Sequence, residues 1–122
     1  MNAKTILIVD DNDTIFGLFK DFFESRGYSA ETAQNGLEGV NKYRALKPDV
    51  VLMDLQMPVM NGYESSKGIK DFDPNAKILM LTGYSEDPLA EKSLREGYVN
   101  TVIPKPCKLN TLFETVTHTL AA

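Results

Sequence analysis

The sequence predicts an α/β fold, with five short parallel strands in one sheet and a helix after each. Two observations carry this prediction. Apolar runs of four to six residues, most of them β-branched, alternate with longer segments whose apolar residues recur every three or four positions. The alternation fills all 122 residues and leaves no linker or low-complexity stretch over. Such βαβ units close as parallel sheets with helices on both faces.

The elements follow in order. "TILIV" (5–9) is the first strand. Ile15, Leu18, Phe19, Phe22 and Phe23 form the stripe of a first helix, closed by Gly27. "YSAETA" (28–33) is a second strand of lower apolar content, and Leu37, Val40 and Tyr43 or Arg44 mark a helix stopped by Pro48. "VVLM" (50–53) is apolar at every position, as a strand buried on both faces must be. A third helix spans Tyr63 to Phe72 and ends at Asp73-Pro74. "KILMLT" (77–82) is the fourth strand, and Pro88 suits the first turn of a helix running to Gly97. "NTVI" (100–103) is the fifth strand. Leu112, Phe113, Val116 and Leu120 stripe the last helix, with His118 on its wet side. The expected organisation is one domain over residues 1–122, large enough for a core without staples.

Composition narrows the function classes. Hydrophobic residues at 43% and charged residues at 25% are those of a soluble globular chain. No apolar run approaches the ~20 residues that span a bilayer, and "MNAKTILIVDD" has no signal-peptide pattern, so no membrane role is expected. Cys107 is the single cysteine, which excludes an internal disulfide and favours a reducing cytoplasm. A net charge of −4 with no Lys/Arg run argues against direct nucleic-acid binding. No Cys/His cluster is present for zinc.

The polar residues at the strand ends carry the functional reading. Asp10 and Asp11 follow strand one, Asp54 ends strand three, Thr82 ends strand four and Lys105 follows strand five. In an open parallel sheet these ends share one edge, where ligands bind. Each residue alone has a plain structural explanation: a helix cap for Asp11 or Asp13, a turn for Asp54, a strand former for Thr82, a surface lysine. Their joint placement at four strand ends argues for a site. Carboxylates ~4 Å apart repel by about 4 kcal/mol at an effective dielectric of ~20, so the cluster takes up a proton or holds a cation. An all-oxygen set suits Mg²⁺, beside which Asp54 is a usable nucleophile toward phosphorus.

"ILIVDD" (6–11), "DLQMPVMNG" (54–62), "MLTG" (80–83) and "PKP" (104–106) resemble the receiver domain of two-component response regulators, in order and over the whole chain. The resemblance implies a flavodoxin-like sheet of order 2-1-3-4-5. It makes Asp54 the phosphoacceptor, taking its group from a phosphohistidine on a sensor kinase or phosphotransfer protein. Asp11 would bind Mg²⁺ directly and Asp10 through water, with Asp54 and the Gln56 carbonyl completing the protein ligands. Lys105 would pair with the phosphoryl group and Thr82 would be the switch hydroxyl. Met57, Pro58 and Gly62 shape the pocket, Gly62 through a tight turn, and Lys105-Pro106 is a candidate cis bond.

The family's reaction is on the protein itself, with slow self-dephosphorylation and no external turnover. The signal would pass to an output domain or target protein. Whether the chain stands alone or belongs to a larger regulator or hybrid kinase is open at this point.

Three positions depart from the family pattern. Val102 stands where an aromatic ring is common, Cys107 where Phe is common, and one extra residue between Gly97 and Lys105 predicts a longer or bulged end of helix four. Cys107 reads as a small core filler. Tyr84, two residues beyond Thr82, would screen the acyl phosphate from water. Two other classes compete. A flavin or nucleotide carrier needs a loop of free N–H groups where this chain has "DDND". A receiver-shaped scaffold that never accepts phosphate would not need the full set of Asp54, Lys105, Thr82 and the acidic pair.

Overall fold

The computed structural model describes residues 3–83 and 87–121. Five strands, β1 (Thr5–Val9), β2 (Ser29–Ala33), β3 (Val50–Asp54), β4 (Ile78–Thr82) and β5 (Thr101–Pro104), alternate with five helices. The helices are α1 (Asp13–Ser25), α2 (Gly36–Leu46), α3 (Gly62–Phe72), α4 (Pro88–Arg95) and α5 (Leu109–Ala121). All strand pairs are parallel and the order is β2-β1-β3-β4-β5. The predicted fold class and strand order are those observed.

Residue parity on the strands divides the core into two layers. Val51 and Met53 of β3 join Leu7, Val9, Ile78 and Met80 under Val40, Tyr43, Ile69 and Ala90 of α2, α3 and α4. Val50 and Leu52 join Ile6, Ile8, Leu79 and Leu81 against Phe19 and Phe23 of α1 and Leu112 and Val116 of α5. Each such side chain contributes roughly 1.5–3 kcal/mol by leaving water. The three central strands are buried on both faces, which is why they are apolar except at their ends. The edge strands β2 and β5 are partly exposed and correspondingly mixed.

Several expectations are corrected. Helix α4 stops at Arg95 rather than Gly97. In the turn from Glu96 to Asn100 that follows, Gly97 takes φ +78° and the Tyr98 and Val99 amides donate to the Ser93 carbonyl. Asn12, not Asp11 or Asp13, caps α1, its side-chain oxygen accepting from the Thr14 and Ile15 amides at 3.0 and 3.2 Å. A neutral carboxamide thus does the capping, and the two carboxylates before it remain available. Leu18 sits at the rim of the α1 stripe and is half exposed.

Candidate functional site

β1 and β3 are core strands whose apolar runs end in carboxylates at the same edge of the sheet. Asp10, immediately after β1, and Asp54, the last residue of β3, are both buried, whereas Asp11 is exposed. One carboxylate oxygen from each of the three lies within 4.8 Å of the others. Two neighbours fix Asp10: Oδ1 accepts from the Asn12 amide at 2.9 Å, and Oδ2 faces the Lys105 ammonium at 3.0 Å.

Lys105 arrives from the loop after β5. Its amide donates to the Thr82 carbonyl at 2.9 Å, which ties the loop to the end of β4, and its bond to Pro106 is cis. From there Nζ reaches Asp54 Oδ1 at 3.2 Å as well as Asp10. Thr82 is fully buried at the end of β4, beside Pro104 in the ladder.

The electrostatics follow from burial and charge. Loss of solvent, then the Asp10 charge, pushes the Asp54 carboxyl up to about 6, although Lys105 pulls in the other direction. Burial works against the Lys105 ammonium, but its bonds to Asp10 and Asp54 outweigh this and raise its pKa. One ammonium among three carboxylates leaves an excess of negative charge at the mouth of the crevice.

A glycine closes the site from below. A methyl group on Gly62 would collide with the Asp54 carbonyl oxygen and approach the Leu55 Cα to 2.8 Å, while the Gly62 amide donates to the Leu55 carbonyl at 2.9 Å. Gly62 is thus required by close approach of two backbones, not by a tight turn as the sequence suggested. The left-handed residue of this loop is Val59, at φ +71°. The Gln56 side chain is exposed and donates to Asp87 Oδ2 at 2.7 Å.

A family model for the response regulator receiver domain matches residues 6–117. The chain belongs to this family. It is 32% identical over 118 residues to the chemotaxis protein CheY of Halobacterium salinarum, covering 94% of this chain and 98% of that protein. Identity to the polar-differentiation response regulator DivK of Brucella anthropi is 33% over 115 residues, 93% of each chain. Among solved structures, the receiver domain protein (CheY-like) of Methanospirillum hungatei superposes with a TM-score of 0.94 at 31% identity, covering 98% of this chain and 95% of that one. The CheX–CheY–BeF₃–Mg²⁺ complex of Borrelia burgdorferi gives 0.87 at 30% identity, over 94% and 87% of the chains.

The receiver domain brings Asp10, Asp11, Asp54 and Lys105 to one point and places Thr82 at the same edge of the sheet. The donors are all hard oxygens, two buried and one solvent-facing, which fits a Mg²⁺ ion that keeps part of its water shell. Asp87 and Asn12 escaped the sequence reading. Asp before Pro88 is a helix-start signal that could have flagged Asp87. Tyr84, given a screening role from sequence, lies outside the described residues.

Cys107 packs half-buried against the core layer under α1 and α5. Its outer side lies in the wall of an apolar crevice of about 410 Å³ with Ile15, Leu18, Phe19, Pro106 and Leu109, and burial pushes its thiol pKa up. Val102 packs half-buried against the α2–α4 side of the core. His118 is exposed, as expected.

Proposed function

We propose that this receiver domain is a phosphoryl-accepting switch with Asp54 as the acceptor. The observation that carries the reading is the Asp54 carboxylate, set between the acidic pair and the Lys105 ammonium at the open edge of the sheet. A carboxylate oxygen of Asp54 attacks the phosphorus of a phosphohistidine. The P–N bond breaks, its electron pair stays on the imidazole nitrogen, and an acyl phosphate forms on Asp54. Lys105 and the Thr82 hydroxyl are the donors for the phosphoryl oxygens, with Thr82 as the switch group.

Mg²⁺ would be held by Asp11 directly, Asp10 through water, Asp54 and the Gln56 carbonyl, and when bound it supplies charge neutralisation around the phosphoryl oxygens. The BeF₃ and Mg²⁺ in the solved CheY complex support the same chemistry here. The donor would be a sensor histidine kinase or phosphotransfer protein of the cytoplasm. The recipient of the signal would be an output domain or a separate protein; CheY in that complex is bound to a separate protein, CheX.

Intact-mass measurement after incubation with acetyl phosphate and Mg²⁺ tests the reading. One added phosphoryl group is expected, absent in Asp54→Asn and in EDTA. Equal labelling of Asp54→Asn would remove Asp54 from the role.

A further inference from the structure

Helix α4 is only eight residues long, and side chains from the β3–α3 side of the pocket tie down both of its ends. At its C-terminal end the Tyr63 hydroxyl donates to Glu96 Oε1 at 2.7 Å, and Lys92 lies over the Tyr63 ring at 4.9 Å. At its N-terminal end Asp87 carries two duties at once. Oδ1 accepts from the Leu89 amide at 2.8 Å as the helix cap, while Oδ2 accepts from Gln56 Nε2 at 2.7 Å. The Asp87 carbonyl also accepts from the Ala90 and Glu91 amides at 2.9 and 3.4 Å. The first turn of α4 is therefore organised around one residue, and that residue is held by a side chain two positions after Asp54.

We infer that the Gln56–Asp87 hydrogen bond is a latch that fixes the start of α4 to the pocket loop, so that occupation of the Asp54 site is felt at α4 through Gln56. This rests on the reading of Asp54 as phosphoacceptor. Asp87 is here a positioning residue, since it acts only through Gln56. The two oxygens of a carboxylate are what allow one side chain to serve both the loop and the helix. A bond linking two elements 31 positions apart in sequence transmits displacement only while both partners hold it.

Two substitutions separate latch from cap. Asp87→Ser keeps a capping oxygen for Leu89, but that single, shorter oxygen is taken up by the cap and does not reach Gln56, so the latch opens. Asp87→Asn keeps both bonds, because the Gln56 carboxamide turns over and its oxygen accepts from the new amide.

The test is amide exchange at Leu89, Ala90 and Glu91 in the full chain. Without ions, exchange in Asp87→Ser should be roughly two- to tenfold faster than in the parent, the factor expected for one net hydrogen bond, and Asp87→Asn should stay near the parent rate. Unchanged exchange in Asp87→Ser, or Asp87→Asn as fast as Asp87→Ser, would overturn the latch. With Mg²⁺ and beryllofluoride, the parent should change its protection at these amides, and Asp87→Ser should lose most of that change while still showing bound fluoride by ¹⁹F NMR. An equal change in both proteins would overturn the coupling. Failure of the parent to show bound fluoride would instead overturn the phosphoacceptor reading, and the ion-free comparison would still decide the latch.

Discussion

Lys105 Nζ stands 3.2 Å from Asp54 Oδ1, and its other bond goes to Asp10, so the proposed acceptor is paired with an ammonium that a second carboxylate also claims. This pairing is too weak to offset burial and the Asp10 charge, which together raise the Asp54 carboxyl from 3.8 to about 6. A carboxyl with a raised folded-state pKa binds its proton more tightly in the folded protein. Its stabilising contribution is complete below pH ~4 and disappears as pH rises through about 6.

Metal-free stability should therefore fall between pH 4 and 7, by roughly 1–3 kcal/mol once solvent screening of the crevice is allowed for. Asp54→Asn should remove most of the decline and be more stable than the parent at pH 7. Urea midpoints in EDTA across this range measure it. Parallel profiles for the two proteins would mean that Asp54 is not the strained group.

Lys105 also competes for the oxygens that a divalent cation would use. Lys105→Met keeps the aliphatic stem against the Ile15–Leu18 crevice and removes only the charge. Without ions the variant should lose about 1–3 kcal/mol, the range for hydrogen bonds to charged groups. Its gain in Tm on adding Mg²⁺ should then exceed the parent's, because the ion meets three unneutralised carboxylates. A smaller gain than the parent's would show that Lys105 assists the ion rather than competing with it.

What the sequence revealed and what it hid divide along one physical line. β3 was legible because burial on both faces demands apolar residues at each position, and the strand-end rule then brought Asp10, Asp54, Thr82 and Lys105 to one edge. These are properties of short segments and of parallel-sheet geometry. The strand order came from resemblance, since periodicity alone does not say which strands are neighbours. Contacts between distant loops were not legible. The Gln56–Asp87 bond joins positions 31 apart, and the collision that demands glycine at 62 is with the Asp54 and Leu55 backbone. Nor does local pattern distinguish Asn12 from its acidic neighbours as the cap of α1, because Asn and Asp both suit that position.

Two adjacent serines of α3 give opposite expectations. Ser65 Oγ donates to the Gly36 carbonyl at 2.8 Å in a fully buried setting, whereas the equally buried Ser66 Oγ has no partner among the described residues. Ser65→Ala should cost about 1 kcal/mol through the lost bond between α3 and α2. Ser66→Ala removes a desolvated hydroxyl and should be neutral or stabilising by up to about 1 kcal/mol. Chemical denaturation of the two variants side by side decides this, and a larger loss for Ser66→Ala would contradict it.

The last prediction concerns the pocket loop. Val59 is 77% exposed, so no burial rewards its side chain, yet it occupies φ +71°. The Met60 amide donates to the Pro58 carbonyl at 2.8 Å across it, closing a three-residue turn of the rarer, strained hand. A β-branched side chain in this region costs about 1–2 kcal/mol. Glycine would remove that cost but pay about 0.5–1 kcal/mol in backbone entropy. Asparagine tolerates the left-handed region without that entropic loss. Val59→Asn should therefore stabilise the domain by about 1 kcal/mol, a rise in Tm of roughly 3–6 °C for a chain of this length, with Val59→Gly between it and the parent. Thermal melts of the three proteins in one buffer give the order. If both variants melt below the parent, the turn is not strained at Val59, and its conformation must be favoured by contacts that the valine side chain itself makes.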